Sequence, residues 1–125
     1  MNLHSRIDAF VRLGERMLSE SKLDCGSHFE STIKDASIHN PWFTSENIYY
    51  AIDSIANHWL TRDILDAFVS KYPEDYFEPI ESKKVVVIMA GNIPFAGLHD
   101  LICILLTGHR FLGKVSSKDG HLIAS

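Results

Sequence analysis

The sequence predicts an α/β protein in which a helical front, residues 1–82, leads into one β-α-β unit, residues 83–125. Three observations predict it. Val85 to Ala90 is an unbroken apolar run, mostly β-branched, which is the pattern of a strand buried on both faces in a parallel sheet. An apolar stretch of helical length, residues 95–107, follows after a short turn. Arg110 to Val115 then supplies a second strand-like segment, so the chain returns to the sheet by a crossover.

The elements can be justified in order. Leu3, Ile7, Phe10, Val11, Met17 and Leu18 recur at helical spacing, with Arg6, Asp8, Arg12, Glu15 and Arg16 around the other faces. A polar stretch, residues 19–28, separates this helix from a shorter one carrying Phe29, Ile33 and Ala36. Pro41 disfavours helix at Asn40 and punctuates the junction. Thr44 is placed to cap a third helix, with Glu46 near its positive end and Ile48, Ala51, Ile52, Ile55 and Trp59 on its face. Thr61 is placed to cap a fourth, with Ile64, Leu65, Phe68 and Val69 as its face, ended by Tyr72-Pro73. Residues 73–82 read as a connector, and Gly108 as the stop of the crossover helix. The segment from Ser116 reads as a loop entering another helix.

Composition narrows the function classes. The chain has 125 residues, enough for one domain with a modest core, and a net charge of −4. Clustered Lys and Arg of the kind that track nucleic acid are missing from the sequence. It has no secretory leader pattern and no apolar stretch long enough to span a bilayer. Two cysteines are too few for a disulfide framework, and a reducing, cytoplasmic setting fits. The seven histidines show neither HxxxH nor HExxH, and no Cys is read at ligand spacing to any of them, so a metal site is not expected. Neither GxGxxG nor GxxxxGK[ST] is present.

The candidate chemistry lies at the carboxyl ends of the two strands, where open parallel sheets bind ligands. Asn92, between Gly91 and Pro94, could aim a side-chain amide at a developing oxyanion, or could serve only as a turn residue. Lys114 could hold ribose hydroxyls or a phosphate, or simply close its strand at the surface. Ser116, Ser117 and Lys118 suit a phosphate, and one of the serines suits a helix cap. Cys103 reads as a small core residue, and neither it nor Cys25 has a visible base that would make it a nucleophile.

The stretch VVVIMAGNIPFAGLHDLICILLTGHRFLGKVSSKD resembles the first β-α-β unit of the aldehyde dehydrogenase superfamily. MAGNIP, the Gly108-His109 pair and KVSSKD resemble its LuxC-type acyl-CoA reductase branch most closely, and NPWFT at residues 40–44 adds to this. The resemblance implies a Rossmann-like cofactor domain and an NADPH-dependent reduction of a fatty acyl-CoA thioester to an aldehyde. It implies that Asn92 is the oxyanion donor, that Ile88, Met89, Ala90 and Gly91 wall the cofactor, and that Lys114 binds its ribose. Ser117 stands where the superfamily carries a Glu that disfavours a 2′-phosphate, and Lys118 follows it. A lost carboxylate and an added cation favour NADPH over NADH. The superfamily's nucleophilic Cys matches neither Cys25 nor Cys103, so these residues are expected to be the amino-terminal part of the enzyme and inactive alone. The other expectation is a non-catalytic truncated α/β domain that self-associates or binds a partner through its sheet edge.

Overall fold

The computed structural model describes residues 1–22, 28–78, 81–117 and 122. Among them it is a mixed α/β protein: five α-helices, one short 3-10 helix and a two-stranded parallel sheet. The helices are α1 (Leu3–Ser21), α2 (His28–His39), α3 (Ser45–His58), α4 (Arg62–Val69) and α5 (Leu98–Leu106), and the strands are β1 (Lys84–Ile88) and β2 (Arg110–Lys114).

The helix boundaries follow local chemistry. Asn2 caps α1 by accepting from the Ser5 N–H, Thr44 caps α3 by accepting from Asn47, and Thr61 caps α4 by accepting from Ile64. Gly108, at φ 77°, closes α5: its N–H donates to the Leu105 carbonyl and that of His109 to Ile104. The connector at 73–82 contains the 3-10 turn Glu74–Phe77. Arg6 reaches it from α1, donating to the Phe77 carbonyl and pairing with Glu78.

The crossover helix starts later than its apolar composition predicts. Phe95 lies at φ 58° and Gly97 at φ 89°, both left-handed, so residues 94–97 form turns and α5 begins only at Leu98. The missing helical turn is spent on lifting the chain from the end of β1 to the start of α5.

One apolar cluster joins Ile7 and Phe10 of α1, Ile55, Leu60 and Leu65 from the α3–α4 region, and Ile102 and Leu106 of α5. A second holds Ile33, Ala36, Phe43, Ile48, Ile52 and Leu122. The first cluster crosses the 82/83 boundary, so the helical front and the β-α-β unit share a core.

The sheet is not buried on both faces. Strands β1 and β2 pair in register from Lys84↔Arg110 to Ile88↔Lys114. Alternation then sends Val85, Val87 and Phe111 to the half-buried side. Val86 (61% exposed), Ile88 (82%) and Leu112 (56%) face the other way, and no described element covers them. The apolar run predicts a two-sided interior, but among the described residues only one face has helices packed on it.

Candidate functional site

Both strands end at the same edge. Ile88 pairs with Lys114, and the Met89 N–H donates to the Lys114 carbonyl at 3.0 Å, extending the ladder one residue past β1. The Gly91–Asn92 turn and the Val115–Ser117 segment therefore leave the sheet side by side. Asn92 is exposed, Gly91 half-buried and Ala90 exposed.

Met89 is placed differently from its neighbours. Its side chain is 6% exposed and packs against Gly97 and Gly113, on the helix side of the sheet. Among the four wall residues, Ile88, Ala90 and Gly91 remain accessible while Met89 can offer only its backbone. Lys114 is exposed, and its Nζ donates to the Val115 carbonyl at 3.2 Å, a contact it can exchange for a ligand. Ser116 is half-buried and Ser117 exposed. Lys118 and the helix expected after Ser116 lie outside the described residues, as does Cys25.

The turn is held from behind by a residue that sequence reasoning treated only as a junction. Asn40, 1% exposed, donates from its side-chain amide to the Gly91 carbonyl at 2.8 Å. Nothing local marks this bond, which spans 51 positions.

Beneath the turn a cavity of about 530 Å³ is lined mainly by Leu13, Met17, Phe29, Met89, Phe95 and Leu98, with Arg16 and Glu20 at α1. A second hollow of about 640 Å³ lies at the opposite, amino edge of the strands, among Asp75, Glu78, Glu81, Lys83 and His109. Its acidic lining and its distance from Asn92 along the strands separate it from the carboxyl edge.

Helix α5 brings together a pair that the spacing rule passed over. His99 and Cys103 are four residues apart, and the sulfur lies 3.9 Å from both ring nitrogens. The His99 ring also meets Trp59 edge-on at 5.6 Å. Burial pushes the Cys103 thiol above its ordinary pKa, and the Asp100 carboxylate pushes it further the same way. It therefore stays protonated at neutral pH, the reverse of what a nucleophile needs. Among the described residues no group of three or more His, Cys, Asp or Glu is arranged to hold a metal ion. Nor is any helix of these residues long and apolar enough to cross a membrane.

No protein-family model matches the chain, and neither the curated proteins nor the solved structures yield a match.

Proposed function

We propose that the chain is the amino-terminal part of an NADPH-dependent, LuxC-type acyl-CoA reductase of the aldehyde dehydrogenase superfamily, which converts a fatty acyl-CoA thioester to an aldehyde. The observation that carries the reading is the meeting of the Asn92 turn and the Lys114 strand end at one carboxyl edge. The sequence resemblance assigns the two residues complementary roles at such an edge.

The edge fits a dinucleotide on chemical grounds. It offers an exposed cation at Lys114, an exposed hydroxyl at Ser117 and the small residues Ala90 and Gly91, with no acidic side chain among residues 88–94 and 110–117. NADPH supplies hydride when bound. Lys114 would hold the ribose, and Ser117 in place of a carboxylate, followed in sequence by the cation of Lys118, would favour a 2′-phosphate. The Asn92 amide donates to the thioester oxygen as it gains negative charge. On this reading the acyl-accepting thiolate is a Cys that matches neither Cys25 nor Cys103 by the resemblance, and burial and the Asp100 carboxylate push the Cys103 thiol away from that role.

The test is the complete gene product assayed with NADPH and fatty acyl-CoAs of several lengths. Acyl-CoA-dependent oxidation of NADPH is expected. Asn92→Ala should lower kcat by about 100- to 1,000-fold, the usual loss for one oxyanion donor, without changing NADPH affinity. A complete protein that binds NADPH but reduces no acyl-CoA overturns the reading.

The bare face of Val86, Ile88 and Leu112 favours a second reading, in which the domain is non-catalytic and acts by binding another protein surface. Sedimentation of the chain at increasing concentration separates self-association from a monomer awaiting a partner.

A further inference from the structure

We propose that Asn40 is a positioning residue that aims Asn92, a role that rests on the reductase reading above. Asn40 sits between α2 and α3 and is fixed on every side. Its N–H donates to the Ala36 carbonyl at 2.9 Å, and its carbonyl accepts from Phe43 at 2.9 Å. Its side-chain oxygen accepts from the Trp42 N–H at 3.1 Å. That bond settles which end of the amide faces Gly91: the oxygen is needed at Trp42 and the NH₂ at the Gly91 carbonyl, and the reverse orientation satisfies neither.

The Gly91 carbonyl and the Asn92 N–H belong to one peptide unit. That peptide is trans, so its C=O and N–H point in opposite directions. Drawing the carbonyl inward to buried Asn40 therefore turns the Asn92 N–H away from the interior and sets the Cα from which the exposed amide side chain projects. Gly91 has no side chain to resist rotation of this peptide, so the orientation depends on the Asn40 bond. A turn that must present a donor at a defined place thus takes its aim from a rigid junction 51 positions away.

Asn40→Asp matches Asn in size and keeps the acceptor for Trp42, but it sets an acceptor against the Gly91 carbonyl. Asn40→Ser removes the reach with less charge in the core. In the complete gene product, either variant should lower kcat roughly 10- to 100-fold, the scale of a small misplacement. On an Asn92→Ala background the same substitution should cost nothing more, because the residue through which it acts is gone. A loss as large in the Asn92→Ala background as alone overturns the proposal.

Amide NMR of the 125-residue chain decides the geometry without any assay. Asn40→Ser should shift the backbone and side-chain amide signals of Asn92 and leave those of α4 in place. Unmoved Asn92 signals overturn the positioning role even if the reductase activity is found. An inactive unsubstituted protein removes the reductase reading, and the NMR result still decides whether Asn40 aims the turn.

Discussion

Met89 lies against Gly97 so closely that a Cβ on that glycine would come within 2.8 Å of the Met89 Cγ. Gly97 also holds φ 89°, a conformation that side chains rarely adopt. Gly113 crowds the same side chain from β2, where a Cβ would meet the Met89 Cε at 2.8 Å and the Phe111 ring at 2.7 Å. The two sites differ in what can yield. At Gly113 the obstructing atoms are the ends of flexible side chains; at Gly97 the obstruction is near the backbone and the dihedral is itself unfavourable. Gly97→Ala should therefore destabilise the chain by about 2 kcal/mol or more. Gly113→Ala should cost about 1 kcal/mol. Urea unfolding of the two variants checks the order, and a larger loss at Gly113 contradicts it.

The tie between α1 and α4 predicts how stability responds to acid. The Arg62 guanidinium donates to the Asp8 carboxylate, and this bond above all holds the Asp8 carboxyl below its usual pKa. The charges of Arg62, His4 and Arg12 add to it, while partial desolvation opposes it. A group with a lowered folded-state pKa contributes stability above the ordinary carboxylate range and loses it as pH falls through the lowered value. Asp8→Asn should therefore be less stable than the unsubstituted chain at neutral pH, and the difference should shrink as the solution is acidified. Urea midpoints measured for both across that range test this. A gap that persists at the lowest pH would mean that Asp8 acts through packing rather than charge.

Cofactor preference can be tested at Ser117. The residue is exposed just past β2, beside the strand end that carries Lys114. If the proposed reductase reading holds, Ser117→Glu, which places a carboxylate beside the proposed 2′-phosphate position, should move the ratio of kcat/KM from NADPH toward NADH in the complete gene product. A ratio unchanged by the added charge would separate Ser117 from the 2′-phosphate.

Much of this architecture was legible because its signals are local. Thr44, Thr61 and Gly108 mark helix ends by chemistry that acts within a few residues, and the structure uses all three as read. Residues 95–97 were misread for the same reason in reverse. Phe-Ala-Gly suits a helix by composition, and only the need to turn between β1 and α5 puts Phe95 at positive φ. The exposure of Val86 and Ile88 was hidden because an apolar run states what a strand can bury, not what is there to cover it. The carboxyl edge, with Asn92 and Lys114, was visible from strand order alone. The Asn40 anchor and the burial of Met89 were not, since both depend on contacts between distant segments. His99 and Cys103 were within reach of a helical count and were missed.

The uncovered sheet face carries cations at both ends as well as its apolar centre. Lys84 stands beside Arg110 at one end and Ile88 beside Lys114 at the other, with Val86 and Leu112 between them. Two copies laid face to face with strands running the same way would set Lys84 and Arg110 against themselves; reversed, they would set them against Lys114. Like charges would meet in either arrangement, with little salt able to enter once the centre closed. The face thus joins an apolar centre to cationic ends, so closing it against a copy of itself would bring like charges together.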